Sequence, residues 1–564
     1  MMMKKTTEDH GKLVYDSSLD YKGRVPLRSS TGLWKASLFV LAIEFSERLS
    51  YFALSANLIT YLSKVMHQDL QTAVKNVNYW AGVTTVAPLL GGFLADSYTG
   101  RFPMIIISSI IYLMGLCLLT MGELVPRIKP CGSLQTEDCS DQNHKVAFFL
   151  AIYSISLGTG GFKPCLESFG ADQFDDDDAS ERKQKMSYFN WWSSALCCGM
   201  LLGVTTIVYL QDYVSWGVAN LVLTFSMAVT FLVFCVGRKF YRYRTAQGSP
   251  LIPMLQVIVA AFAKRKLSLP STPTLLYEEE LESHGRNLSH TDHLRFLDKA
   301  AIIEGETINS SPWRLATVTQ VEELKLLLNM IPVWLSSLAF GLTMAQSPTF
   351  FVKQSSTMDR KISTSFTIPS ASVNAILAIG MITSILIYDK VLVPTLRKAT
   401  GNERGINILK RVGIGMAFSV LTMVIAALVE RKRLRAAEPS TVSVFWLAPQ
   451  LVVMGIGDSL TLVGLQEFFY DQVPDRMRSM GMAFFLSVIG IGSFLSSLLI
   501  TIVDHVTKQN GKKDSWFGKN LKDSRLDKFY WLLAVISSLN LCVFLCVAKR
   551  YTYKNVKRSL TVDI

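Results

Sequence analysis

The sequence predicts an all-α membrane protein with twelve transmembrane helices in two six-helix halves. Three observations carry that prediction. Of the 564 residues, 50% are hydrophobic and 18% charged, against roughly 25% charged in soluble domains, and the mean hydropathy is +0.30. The apolar residues gather into stretches about 20 residues long, the length that crosses a bilayer. These stretches form two groups of six, separated by a polar segment from about 238 to 321. A soluble enzyme, a fibrous protein and a disordered scaffold are excluded.

Residues 1–33 are polar, without a signal-peptide or transit pattern, so they are expected to form a cytoplasmic tail and span 1 to direct insertion. The first bundle, 34–237, holds spans at 34–62, 78–97, 103–123, 146–169, 189–210 and 215–237. The linker, 238–321, is expected on the cytoplasmic side, with residues 251–265 apolar and then basic, as in an amphipathic helix lying on a membrane surface. Its stretch from Ser268 to Ser289 is rich in Ser, Pro and Glu and is expected to be mobile. The sequons at Asn287 and Asn309 would then stay unglycosylated. The second bundle, 322–550, holds spans at 323–346, 369–389, 407–430, 443–470, 480–505 and 528–549, before a cytoplasmic tail, 551–564.

Lys plus Arg number 57 and Asp plus Glu 44, a net charge of +13. The basic residues flank apolar spans, which points to membrane topology and away from nucleic acid. Most fall on the side that carries both termini, which the positive-inside rule makes cytoplasmic. Arg431, Lys432, Arg433 and Arg435 are exceptions, placed on an outer loop together with several lysines between 508 and 528. Of nine cysteines, Cys131 and Cys139 share one polar loop and are a disulfide candidate if that loop faces an oxidising lumen. The others lie in or beside spans, where buried thiols are expected.

The informative residues are charges inside spans, each costing about 2.5 to 3.5 kcal/mol at a helix centre. In span 1, Glu44, Glu47, Arg48 and Tyr51 share a face about 100° wide, so they face a protein interior or a wet cavity. Arg48 holds one carboxylate ionised and leaves the other free to titrate, which suits proton coupling; a buried ion-pair staple is the alternative. Lys163 stands in Gly158-Thr159-Gly160-Gly161-Phe162-Lys163-Pro164 of span 4, where the glycines permit close helix approach, although a lysine there can also snorkel to the interface. Asp458 follows Met454-Gly455-Ile456-Gly457 midway through span 10, too deep to reach water, and Lys163 is its natural partner in a gating salt bridge across the cavity. Glu467 reads as an interfacial anchor, and the acidic run from Asp175 to Asp178 as a solvated face. Gly92, Asp96, Gly100 and Arg101 after span 2, echoed by Tyr388, Asp389, Lys390 and Arg397 after span 8, suit a conformational latch or ordinary loop capping. The seven histidines show no ligand spacing and His144 merely opens span 4, so no metal site is expected. No Walker loop, dinucleotide fingerprint or nucleophile elbow supports ATP-driven transport or catalysis, so the chain is not expected to be an enzyme.

Several longer motifs carry a family likeness. They are Glu44-x-x-Glu47-Arg48, Gly161-Phe162-Lys163-Pro164, Phe169-Gly170-Ala171-Asp172-Gln173-Phe174, Phe189-Asn190-Trp191-Trp192, Arg295-Phe296-Leu297-Asp298-Lys299-Ala300, Thr317-Val318-Thr319-Gln320-Val321-Glu322-Glu323 and Gly464-Leu465-Gln466-Glu467-Phe468-Phe469. With them, residues from about 20 to 555 resemble the plant nitrate/peptide transporter family, the plant branch of the proton-coupled oligopeptide transporters. Phe350-Phe351-Val352-Lys353-Gln354 and Thr357-Met358-Asp359-Arg360 are similar to its fifth subfamily. The resemblance implies a major facilitator fold, alternating access with a site between the halves, and proton-driven symport without a cofactor. It implies that Glu44, Glu47 and Arg48 carry the coupling proton and that Lys163 pairs with a span-10 carboxylate. That carboxylate is usually Glu, so Asp458 shortens the arm by about one methylene. Nitrate carriers of the family can place a histidine on span 7, where this chain has Met344.

The expected substrate is therefore nitrate held by Arg48 or Lys163, a small peptide, or a larger organic solute packed against Met344, Trp334, Phe340 and Tyr51. A transport-silent sensor signalling through the linker is the competing reading, and a membrane-embedded enzyme a weaker third. The expected partners are the solute, protons and the lipid bilayer, with one chain functional as a monomer. Plasma membrane and vacuolar membrane fit the same topology.

Overall fold

The protein was analysed as a computed structural model, which describes residues 13–553 apart from 15–17, 126–127, 129–140, 176–177, 246–247, 250, 270–275, 279–289, 304–310, 364–365, 401–405, 437–441, 474–477, 510–514, 519–520 and 522–523. Cys131, Cys139, Asn287 and Asn309 lie outside the described residues, as does the side chain of Asp389.

The long elements are all helices. They are α1 (Leu33–Lys64), α2 (Leu70–Leu94), α3 (Arg101–Leu124), α4 (Asp141–Ala171), α5 (Ala179–Leu202), α6 (Trp216–Val236), α7 (Leu251–Ala263), α8 (Val318–Met344), α9 (Asn374–Ile387), α10 (Ile408–Arg435), α11 (Ala448–Gln472), α12 (Arg478–Gln509) and α13 (Leu526–Arg550). Side chains fix several starts by accepting otherwise orphaned backbone N–H groups. Asp69 caps α2 through the Thr72 amide, Asp178 caps α5 through Ser180 and Glu181, and Thr317 with Gln320 closes a capping box on α8. After one wide turn each, α5, α8 and α9 continue to Tyr213, Thr357 and Thr400.

Ten helices among the described residues are long and apolar enough to cross a membrane. They are α3 to α6 and α8 to α13 with their continuations. Three charges interrupt α1, while glycines, threonines and Asn78 dilute α2. Both nonetheless pack inside the bundle, α1 against α5 and α6, and α2 against α4 and α12. Helix α3 lies on α4, α10 contacts α11 and α13, and α9 contacts α11. The expected close approach at the span-4 glycines is present. A Cβ on Gly91 would fall 2.3 Å from the Gly160 carbonyl oxygen, so α2 and α4 meet backbone to backbone.

The linker is folded onto the second group of helices. In α7, Met254, Val257, Ala260 and Ala261 are buried with Leu297, Ala300 and Ala301 against α8, whereas Ile252, Leu255, Val259 and Phe262 are exposed. Lys264 Nζ reaches the carbonyls of Ala300 and Ile302, at 3.3 and 2.5 Å. The stretch expected to be mobile is docked at Leu276–Glu278: Leu276 is buried, Tyr277 N–H donates to Ala301 O, and Glu278 accepts from the Thr319 amide. Backbone pairing and burial of Leu276 outweigh the polar composition around it.

Two charge assignments are overturned. The described ends of the acidic run are not simply solvated: Asp175 is buried, and Arg28 from the N-terminal segment pairs with Asp175 at 2.8 Å and with Asp178, while Asp176 and Asp177 lie outside the described residues. Beside them Arg242, fully buried, holds Glu181 at 2.7 Å. Arg431, Lys432, Arg433 and Arg435 are not on a loop but extend α10, and Arg433 is buried against Glu430 at 2.7 Å. Gln354 donates to Glu430 and accepts from Tyr530 and Gln450, completing a polar core that joins α10, α11, α13 and the α8 continuation. Of the cysteines expected to be buried, Cys165 is and Cys197 and Cys235 are half-buried; Cys117, Cys198, Cys542 and Cys546 are exposed, because they lie on helix faces turned away from the other helices.

Candidate functional site

Helix α1 brings three charges into the interior, and Glu44, Glu47 and Arg48 are each at most 4% exposed. Arg48 Nε lies 2.9 Å from Glu44 Oε1 and Nη2 lies 2.7 Å from Glu47 Oε2. These close contacts are poorly aligned as hydrogen bonds, and Glu44 Oε2 and both Glu47 oxygens lack a hydrogen-bond partner. One guanidinium therefore faces two carboxylates whose acceptor capacity is unspent. Such a triad carries a net charge of −1 when both acids are ionised, and a proton taken up on either acid makes it neutral. Gly199 of α5 lies against the Arg48 Cβ and the Phe45 carbonyl, which leaves room for the cluster between the helices.

Lys163 of α4 reaches the same place. Its Nζ stands 4.6 Å from the centre of the Tyr51 ring, with Arg48 at 5.8 Å from that ring and Trp80 stacked on it at 5.9 Å. Glu167, one turn beyond Lys163, lies within electrostatic range of Glu44 and Arg48. Sequence reasoning passed over Glu167, although its position four residues after an intramembrane lysine was the available signal.

Asp458 of α11 is buried, 4% exposed, behind Gly455 and Gly457. No ion pair joins it to Lys163 in this conformation. Trp334 Nε1 donates to Ser487 Oγ at 2.7 Å, and Met344 is partly buried. Phe340 sits inside the packed core at 3% exposure, so Tyr51, Trp334 and Met344 are the ones with free surface.

The helices before residue 240 and those after 318 are bonded to each other in the portions remote from the described chain ends. Asn78 donates to Ser496 Oγ at 3.2 Å and Tyr213 OH to the Thr367 carbonyl at 2.9 Å. Ser372 Oγ donates to the Val204 carbonyl at 2.8 Å, and Phe494 covers Gly82.

The first latch motif is assembled: Arg101 lies 3.4 Å from Asp96 and 2.5 Å from Asp172, Gly100 turns the chain at φ +80°, and Gly92 lies against Pro164. At its echo, where the Asp389 side chain lies outside the described residues, Arg411 stands over the Tyr388 ring at 4.1 Å and 3.7 Å from Glu467. Two histidines depart from expectation. His290 comes within ligand distance of Asp298 and Glu322, but Lys325 Nζ stands among them, 2.6 Å from Asp298 and 2.8 Å from Glu322. A lysine ammonium thus occupies the position between the acids where a metal ion would sit. His144 does more than open a helix, being buried against Tyr61.

The profile of the POT family (PTR2) matches residues 102–517. The chain is 56% identical over 567 residues to the Arabidopsis thaliana protein NRT1/ PTR FAMILY 5.6, covering 99% of this chain and 98% of that one. It is 55% identical over 571 residues to NRT1/ PTR FAMILY 5.7 of the same plant, covering 98% and 94%. Among solved structures, the in meso crystal structure of the POT family transporter PepTSo is similar with a TM-score of 0.70 at 19% identity, over 92% of this chain and 98% of that one. An auto-inhibited POT family peptide transporter gives 0.68, also at 19% identity, over 93% and 99%; at that identity the likeness speaks for the fold. The chain belongs to the POT family, within the plant nitrate/peptide transporter branch and its fifth subfamily.

Proposed function

We propose that the protein is a proton-coupled symporter that works by alternating access and moves nitrate, a small peptide or a related small organic solute. Its twelve long helices, α1 to α6 and α8 to α13, then form the two six-helix halves of a major facilitator fold, with the termini and α7 on the cytoplasmic side of a plasma or vacuolar membrane. One chain supplies both halves and acts as a monomer, with the proton gradient as its energy source and no cofactor. Family membership favours transport over the transport-silent sensor.

The observation that carries the reading is the buried triad of Glu44, Glu47 and Arg48, one cation short of neutrality and with unspent acceptors. In a membrane interior such a residual charge is expensive. A proton removes it. Bonds between the halves at the end away from the termini suit a state closed on that side and open to the cytoplasm. In that state Lys163 and Asp458 stand apart, and they pair when the cytoplasmic side closes. Nitrate would meet Arg48 or Lys163. A larger solute would pack on Tyr51, Trp334 and Met344.

The test is uptake in pH-clamped cells expressing the chain, with nitrate and dipeptides first and plant hormones next. Inward current evoked by the substrate rises as the outside is acidified. Glu44→Gln and Glu47→Gln each cut proton-driven uptake by roughly tenfold or more, about 1.4 kcal/mol, and flatten its pH dependence while the protein remains at the membrane. If both variants keep full proton-driven uptake, the proton assignment is wrong.

A further inference from the structure

Tyr61, Glu123 and His144 meet at the ends of α1, α3 and α4 remote from the chain termini. Tyr61 and His144 are buried at 3% exposure each, and Glu123 is half-buried. His144 Nδ1 lies 3.0 Å from the Ile128 carbonyl oxygen, its Nε2 lies 2.7 Å from the Tyr61 hydroxyl, and that hydroxyl bonds the Glu123 carboxylate. Phe148 stacks near the imidazole and Trp216 of α6 packs edge-on against Tyr61, 4.9 Å between centroids, so apolar rings wall the chain. The titratable groups in contact with the imidazole are Tyr61 from α1 and, through it, Glu123 from α3. Lys145, next on α4, is exposed.

Proton counting constrains this chain. A carbonyl oxygen only accepts, so Nδ1 must carry a hydrogen. A phenol has one hydrogen to give. If Tyr61 gives it to Glu123, then Nε2 must donate to Tyr61, and the ring is an imidazolium. If Tyr61 gives it to Nε2 instead, the carboxyl must donate to Tyr61, and Glu123 is protonated. Both arrangements hold one proton more than neutral histidine with ionised glutamate. Without that extra proton one of the three bonds is lost.

We propose that His144, Tyr61 and Glu123 form a second proton-binding site, separate from the triad of α1, whose occupancy completes the tie between Ile128 and helices α1 and α4. Imidazole suits this duty because its two nitrogens can both donate or split the roles of donor and acceptor, and the charge passes between His144 and Glu123 as two hydrogens shift in concert, one onto and one off the Tyr61 oxygen. The site faces the proton-supplying compartment only on the orientation given under Proposed function. Its existence does not depend on transport.

Infrared difference spectra between acidic and mildly alkaline pH, on the purified full chain in nanodiscs, test this without substrate. The parent shows an imidazole change together with a carboxyl change that Glu123→Gln removes. His144→Gln is expected to remove both, and Tyr61→Phe to separate them so that they no longer share one midpoint. Two results would overturn the proposal: no imidazole signal lost in His144→Gln, or a Glu123 signal that is the same in the parent, His144→Gln and Tyr61→Phe. A failure of proton-driven uptake would leave these spectra unchanged, so the two readings fail separately.

Discussion

At the scale of single residues, one cation set against two acids distinguishes the α1 cluster from a balanced ion pair. Glu44, Glu47 and Arg48 were legible because charges inside an apolar run are costly and because spacing of three and four residues puts them on one face. His144 was not, since it looked like a residue that merely opens a helix until neighbouring helices closed over it, and Glu167 was passed over although its spacing from Lys163 was readable. The pairing proposed for Lys163 and Asp458 is testable by charge exchange. Lys163→Asp and Asp458→Lys alone are each expected to lower turnover by roughly tenfold or more, about 1.4 kcal/mol. The double exchange should recover part of that loss, measured as uptake at fixed expression. Losses that simply add would show that the two residues act independently.

At the scale of elements, hydropathy located the helices and capping chemistry set their ends. Helix α2 starts at Leu70, eight residues before the apolar run expected from 78, because Asp69 caps its polar first turn. Helix α10 runs on through Arg435 because Glu430 gives Arg433 a buried partner. No hydropathy window detects such a partner, so the basic cluster looked like a loop. Removing one member of a buried pair of this kind costs about 3–5 kcal/mol. Close approach between elements is equally specific. Gly91→Ala sets a methyl group against the Gly160 carbonyl, and overpacking of this kind costs about 1–3 kcal/mol. A lowered midpoint in thermal unfolding of the detergent-solubilised protein is the expected readout. An unchanged midpoint would mean that α2 and α4 separate more easily than their backbone contact suggests.

At the scale of the whole molecule, the all-helical membrane class was legible from composition and from the length of the apolar stretches. The conformational state was not, because apolar stretches place the helices without saying which helix ends meet. The bonds between helix groups put Tyr213 beside Thr367 and Ser372 beside Val204. If this is the state closed away from the termini, cysteines at positions 204 and 372, whose backbones lie close together, should crosslink under mild oxidation, block uptake, and release it on reduction. Free transport by the fully crosslinked protein would contradict alternating access at that surface. The docked linker adds a mechanical consequence. Arg244 is held to Asp172 of the first group, while α7 is packed through Met254, Val257, Ala260 and Ala261 onto the second. The leash between the two anchorages spans seven residue steps, from 244 to 251. Fully drawn out it reaches about 25 Å, at ~3.3–3.6 Å for each residue. On the alternating-access reading proposed above, that length caps the stroke of one bundle against the other at this face, so shortening the leash should throttle the cycle before it weakens either bundle.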